Sequence, residues 1–566
     1  MSTIQSISPG LALENRTAMT PPGFPAGENH ELLFHESAPA LRVLFTEDTF
    51  DIIARLVHES DGGPASVARL ARTARELHTT AIRILWHTMD SIVPLLKTIP
   101  HVKWRQYKIR GGEFPKHGGL DSWGLDEHQS RAINAIDRSS FDKYSSYIRE
   151  FTWRGKDTVP GTLNDMAAML SLDRPWLPLL HSFTDRTRSF ELPLGVFAGP
   201  TLQRLYIPLH RLKLEWLIML FWKIPSLFPA LRELRLQHLP LFLNTSVDLL
   251  EDEDYDDAFS DFLWCTVAGA GAPNLRIVSI DEPISWEDVV ALASLPCLIQ
   301  ANFRMKQQAW TNFDLTRDIS GAFPSICKLR IIAVLCDSDP ILRLFENIAS
   351  EGLTHIDIMT DPDADSPGVA AVGRLLKSIA EGPSRNSIVD INLDIPSSFL
   401  FEETIQDRAP IEMCTLQPLL SLPNVKIFHI RFPWIDLTKN DLCVIASTWP
   451  RIRELVMIQT IYRSPYAVDV EWLAVIAEQC RELEIVGLDV RGGTNLSPRI
   501  PALLAHASHI ATQESGKAGS LCHTMHGWSE DAGDDSASHE LSRCFAETYL
   551  QSLFDEVQVI TYVETF

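Results

Sequence analysis

The sequence has no long apolar run, no cluster of basic residues and no closely paired cysteines. Its most hydrophobic stretch, Trp216 to Trp222, is bounded by Glu215 and Lys223. That falls far short of the roughly 20 apolar residues a bilayer crossing takes. The nine cysteines stand singly, without a C-x-x-C pair, and their odd number leaves at least one unpaired; this is the usage of a reducing compartment. Lys plus Arg number 50 against 73 Asp plus Glu, for a net charge of −23. Phosphate backbones and anionic lipid are repelled by such a chain, so neither nucleic acid nor membrane is expected as a partner. The opening residues MSTIQSISPGLALENRT lack the basic and apolar regions of a secretory signal. Cytoplasmic and/or nuclear residence is expected, and the sequons at Asn15, Asn244 and Asn495 then carry no information.

Catalytic signatures are missing as well. There is no G-x-x-x-x-G-K-[ST], no G-x-S-x-G, no H-E-x-x-H and no G-x-G-x-x-G. Residues 361–366, DPDADS, begin like a calcium loop, but Ser366 stands where glycine is needed and Val372 where the bidentate Glu is needed; a solvated turn is the better account. Cys522, His523, His526, His539 and Cys544 fit no familiar zinc spacing and read as ordinary loop residues. The run EDEDYDD at 251–257 reads as a solvated face, with electrostatic docking or phosphoregulation as the other reading. The expectation is a protein without catalysis, cofactor or metal.

What the sequence does have is apolar material, 45% of residues, enough for a substantial core. Residues 1–36 are rich in Ser, Pro, Gly and Thr and are expected to be a disordered tail, because they cannot bury enough surface to offset their ordering entropy. Residues 37–100 carry three helical patterns. Phe50, Ile53, Ala54 and Val57 share one face behind the acidic turn Glu47, Asp48 and Asp51, and Asp61-Gly62-Gly63-Pro64 stops that helix. Val67, Leu70, Ala71, Ala74 and Leu77 line a second helix opposite Arg69, Arg72 and Arg75, and Ile82, Leu85, Trp86 and Met89 a third before Pro94. Residues 101–143 form a connector without a readable pattern.

From 144 to 566 the chain repeats itself. A proline followed by an L-x-x-L-x-L pattern recurs as PTLQRLYI at 200, PALRELRL at 229, PNLRIVSI at 273, PCLIQANF at 296, PSICKLRI at 324, PNVKIFHI at 423 and PRIRELVM at 450. The first apolar positions Leu202 and Leu231, Leu298 and Ile326, Ile326 and Leu353, Val425 and Ile452, and Ile452 and Leu483 are separated by 27 to 31 residues. That is the leucine-rich-repeat period. The stretches between can be helical: Thr438-Lys439-Asn440-Asp441 is a capping-box start, and Leu442, Ile445 and Ala446 give an inward face before Trp449-Pro450. Acidic insertions are expected near 245–262 and 511–540. The Asn that usually closes the repeat turn is replaced by Pro283, Val334, Asp361, Pro433 and Thr460, so the array is degenerate.

In such a strand the second and third apolar positions point inward, and the residues between and beside them point the other way. Those positions hold Glu233 and Arg235; Gln300, Asn302 and Arg304; Lys328 and Arg330; His355 and Asp357; Asp390, Asn392 and Asp394. Arg235, Arg304, Lys328 and Arg330 read as a basic centre for an acidic or phosphorylated segment of a client protein. The alternative is a merely solvated face.

The segment from Phe45 to Leu96 resembles an F-box, in the form found in fungal F-box proteins with a leucine-rich-repeat-like tail. Leu70, Ala71, Thr73, Arg75 and His78 match that family's middle element, and Ala81, Leu85 and Trp86 its last. The Leu-Pro that commonly opens an F-box is absent, and Ala74 stands where the family has Cys. The resemblance implies an α/β fold, an N-terminal three-helix F-box-like module followed by a degenerate leucine-rich-repeat solenoid. It also implies a substrate-recognition adaptor of an SCF-type E3 ubiquitin ligase: the F-box docks to the Skp adaptor, which bridges to cullin, and the repeats select the client. Phe50, Ile53, Leu56, Val67, Leu70 and Trp86 are expected to make the adaptor contact, as apolar stripes too large for three helices to bury internally. Without the resemblance, the same helices read as the terminal cap that a repeat array needs, and the protein as a scaffold or inhibitor.

Overall fold

The computed structural model describes residues 47–100 except 74, then 102, 104–108, 121–125, 138–154, 174–186, 199–208, 224, 226–237, 273–305, 319–333, 340–360, 368–395 and 409–459. Toward the carboxyl end it describes 468–469, 472, 476, 478–488, 490–491, 520–524 and 556–560. The chain divides into two compact units, Met1–Leu85 and Trp86–Phe566.

The first unit contains helices α1 (Glu47–Glu59) and α2 (Gly63–Thr73) and most of α3 (Arg75–His87). Phe50, Ala54, Val67, Ala71, Ala81 and Ile84 close on one another as its core, with Val57, Leu70, Leu77, Ile82 and Leu85 packed around them. Glycine is required at the turn between α1 and α2: Gly62 has φ +74, and a Cβ on Gly63 would lie 2.1 Å from the His58 carbonyl oxygen. Asp51 ties the helices electrostatically, pairing with Arg55 at 2.7 Å and with Arg83 of α3 at 3.5 Å. The second helix is shorter than its apolar stripe suggests: it ends at Thr73, and Leu77 belongs to α3.

The second unit is built on a thirteen-stranded sheet whose spatial order is its chain order. Its strands are β1 (Thr88–Met89), β2 (Glu150–Trp153), β3 (Ser182–Asp185), β4 (Arg204–Pro208), β5 (Glu233–Gln237), β6 (Ile277–Ile284) and β7 (Gln300–Met305), followed by β8 (Lys328–Ala333), β9 (His355–Thr360), β10 (Asp390–Asp394), β11 (Ile427–Phe432), β12 (Glu454–Gln459) and β13 (Ile485–Leu488). Every neighbouring pair is parallel. Met89, expected on the third helix, instead sits on β1, paired with Phe151. The compact division after Leu85 also lies earlier than the sequence boundary at 100.

Alternation along the strands decides what is buried. Leu234 and Leu236, Val278 and Ile280, Ala301 and Phe303, Leu329 and Ile331, Ile356 and Ile358, Ile391 and Leu393, and Phe428 and Ile430 all point inward and are at most 2% exposed. The first apolar residue of each motif, such as Leu231, Leu275, Ile326 or Val425, falls on the turn just before its strand and is equally buried. Helices α6 (Trp286–Ala293), α7 (Pro340–Asn347), α8 (Val369–Glu381) and α10 (Lys439–Thr448) contribute their buried residues to that same core, so they cover the inward side; α4 (Val93–Leu96), α5 (Ser139–Ser145) and α9 (Met413–Leu416) are shorter. The capping box expected at Thr438 is present: Thr438 Oγ1 accepts from the Asp441 amide at 3.3 Å, and Asp441 accepts from the Thr438 amide at 2.7 Å. Ser285 and Asp288 repeat it at α6.

Within the sequence connector, 104–108 and 121–125 pair as an antiparallel ribbon. Within the insertion expected near 511–540, Ser520–Thr524 is a strand parallel to Glu556–Ile560. The tail at 1–36, the acidic run at 251–257 and the calcium-like turn at 361–366 lie outside the described residues. Among the described residues no helix is long and apolar enough to cross a membrane.

Because Ile391 is fully buried on β10, with a strand paired on either side, Ile391→Ala is expected to cost about 2–5 kcal/mol. Chemical denaturation of the full chain measures it, and a cost below about 1 kcal/mol would contradict the packing described.

Candidate functional site

With the apolar side of the sheet covered by helices, the chemistry of the second unit is concentrated on its outward side. In-register parallel pairing sets the outward residues in rows. From β5 onward the first row is Glu233, Ile277, Gln300, Lys328, His355, Asp390, Ile427, Glu454 and Ile485. The second is Arg235, Ser279, Asn302, Arg330, Asp357, Asn392, His429, Val456 and Gly487. The third runs Pro283, Arg304, Ile332, Met359, Asp394, Arg431 and Ile458. It begins after a register shift between Ile280 and Pro283, where proline has no N–H to give the ladder.

All four residues of the expected basic centre lie on this outward side, but they do not form one patch. Arg304, Lys328 and Arg330 occupy three rows of the adjacent strands β7 and β8. Arg235 is three strands from Arg330, about 14 Å at the usual strand spacing. Nor is it open: its Nε donates to Glu233 at 2.6 Å, and its guanidinium lies over the Tyr206 ring at 5.2 Å. The Tyr206 hydroxyl donates to the same Glu233 carboxylate at 2.9 Å, and burial together with that bond pushes the phenol up from its ordinary value. Arg330 in turn pairs with Asp357 at 3.2 Å. Lys328 is exposed.

The rows carry a more distinctive group that the basic pattern hid. Asp357 is held by Arg330 and by the Asn392 side-chain amide, which donates at 3.0 Å. Asp394 pairs with Arg431 at 3.3 Å, and Glu454 with His429 at 3.1 Å. Asp390, equally part-buried, makes no ion pair or side-chain hydrogen bond with a described residue; it is flanked by His355 and Ile427. Burial raises the Asp390 carboxyl above its ordinary value, against the attraction of His355 and His429. Burial raises Asp357 too, opposed by Arg330. The alternation of the sequence places Asp390 outward, but its lack of a partner depends on which strands stand beside it.

Of the residues expected to meet an adaptor, Phe50 and Val67 are 7% and 0% exposed in the core of the first unit, and Ile53 and Leu70 are half-buried. Leu56 is 63% exposed, and Ile52, which the sequence reading passed over, is 60% exposed one turn away. Trp86 is committed elsewhere: it is half-buried, stacks on Tyr144 at 4.8 Å and packs against the core of the second unit. The stripes are therefore largely buried internally, and among the described residues of this unit the open large apolar side chains are Ile52 and Leu56. The helical spacing of four residues between them is the signal that identifies it.

Reactive groups are sparse. Burial pushes the Cys480 thiol up to about 11, which keeps it protonated and a poor nucleophile at neutral pH. Among the described residues no three His, Cys, Asp or Glu side chains are grouped to hold a metal ion. Cys522 and His523 are consecutive on one strand, and His526, His539 and Cys544 lie outside the described residues.

The raised Asp390 carboxyl has a consequence for stability. A folded-state value above the unfolded one means that the folded chain binds more protons between the two, so this contribution is fully present below the ordinary carboxylate range and is lost as pH rises through the folded value. Asp390→Asn is therefore expected to raise the melting temperature at pH 7.5, with the gain fading as pH falls through the carboxylate range. Asp357→Asn, which breaks a pair with Arg330, is expected to give no such gain; thermal unfolding of both variants against pH tests this. Searches against protein-family models and against curated proteins find no match for the chain.

Proposed function

We propose that this chain is the substrate-recognition adaptor of an SCF-type E3 ubiquitin ligase. In this reading the helices of the first unit dock to the Skp adaptor, which bridges to cullin, and the large sheet is the inner wall of a degenerate leucine-rich-repeat solenoid. Its outward rows hold a client protein. The observation that supports the reading most is the in-register outward face: a run of consecutive parallel strands, covered by helices on one side, lines up polar and charged side chains on the other. A surface of that kind suits an extended protein partner, because each strand adds another set of contacts. The F-box resemblance supports the ligase half of the reading, and the exposed Ile52 and Leu56 supply an apolar contact for it.

A second reading, a leucine-rich-repeat scaffold or inhibitor whose helical unit is only a cap, is favoured by one observation. Phe50 and Val67 are satisfied inside their own unit, as a cap requires. Titration calorimetry of the full chain with a purified Skp adaptor separates the two. Under the ligase reading the wild type binds, and Ile52→Asp with Leu56→Asp abolishes binding while leaving thermal unfolding nearly unchanged. Trp86→Ala is expected to act differently, lowering the melting temperature by removing the stack on Tyr144. Absence of binding by the wild-type chain would leave the cap reading.

A further inference from the structure

The three outward rows differ in how fully their charges are answered. The second and third place Arg330 beside Asp357 and Arg431 beside Asp394. The first leaves Asp390 between an imidazole and an aliphatic side chain. Immediately beyond it Ile427 stands half-buried beside Asp390, and Val456 and Ile458 follow on β12, interleaved with Arg431 and with the His429–Glu454 pair. Gly487, next to Val456 on β13, adds no side chain, and a Cβ there would lie 3.0 Å from Val456 Cγ1.

We propose that this part of the outward face, across β9–β12, docks a basic segment of a partner protein, with a lysine or arginine head group meeting the Asp390 carboxylate and its alkyl stem lying on the neighbouring Ile427. An unanswered carboxylate beside an aliphatic side chain is complementary to an amphipathic cation, which keeps its stem on apolar surface and its charge on an anion. The surrounding charges agree. Asp357, Asp394 and Glu454 are answered by Arg330, Arg431 and His429, which leaves Asp390 as the carboxylate of these strands without a pair among the described residues. A chain of net charge −23 also attracts basic partners from a distance. An acidic or phosphorylated segment would bring like charge against Asp390.

The proposal rests on the reading that the outward face holds the client, and deepens it by naming the client's chemistry. Fluorescence anisotropy of the full chain with a short labelled peptide alternating Ser and Lys, and with its Ser-Glu counterpart, tests it. The Ser-Lys peptide is expected to bind. Asp390→Asn should weaken it by about three- to tenfold, as should Ile427→Ser. Glu346→Gln, which removes the same charge from an exposed position on α7, should leave it within about twofold. Equal losses in Asp390→Asn and Glu346→Gln, no binding of the Ser-Lys peptide, or preference for the Ser-Glu peptide would each overturn the proposal. For a client once captured, loss of binding with Glu at Arg304, Lys328 and Arg330 but not with Asp390→Asn would keep the client face and reject this docking strip. Unchanged binding in both variants would reject the two together.

Discussion

From β3 onward, each strand of the large sheet is entered through the same pair of hydrogen bonds. Two successive N–H groups converge on a single carbonyl of the preceding strand's entrance. Arg232 and Glu233 donate to the Gln203 carbonyl, Arg276 and Ile277 to that of Arg232, Ile299 and Gln300 to that of Arg276, and Cys327 and Lys328 to that of Ile299. The series continues through Thr354, Val389, Lys426, Arg453 and Glu484. The first of the two donors in one step supplies the accepting carbonyl in the next. This chain of bonds fixes the register, and register fixes parity. A slip of one residue at any entrance would exchange the inward leucines and isoleucines for the outward charges.

Parity also explains why so much was legible from the residues alone. In L-x-x-L-x-L the alternation states which side chains are buried, and the preceding proline or turn marks where the strand begins, so the outward set from Glu233 to Asp394 follows without coordinates. What is not local was not legible. The pairing of Met89 with Phe151 joins residues 62 positions apart, and nothing in the helical pattern ending at Trp86 announces it. The answer to Arg330 comes from Asp357 on the next strand, and the isolation of Asp390 depends on His355 and Ile427, each more than thirty residues away in sequence. The stripes of the first helices were read correctly as apolar, but their closure on small residues, Ala54, Ala71 and Ala81, leaves less surface open than their composition suggests.

Charge on the outward face is organised by neighbours rather than by regions. Arg204 pairs with Glu150, Arg235 with Glu233, Arg330 with Asp357 and Arg431 with Asp394, so most guanidinium groups there are matched by an acid within a strand or two. These pairs are partly exposed and individually contribute little to stability. Their effect is to neutralise most of the face at short range, which makes the few unmatched positions chemically distinct against a balanced background.

The identity of spatial order and chain order has a kinetic meaning. Every strand docks on the one synthesised just before it, so no pairing waits for a distant segment, and the largest loop any step must close is the run between neighbouring strands. A sheet of this size would ordinarily fold slowly because its contacts are remote in sequence. Here the contacts are serial, and the sheet can lengthen one strand at a time as the chain leaves the ribosome, each new entrance carbonyl being in place before its two donors arrive.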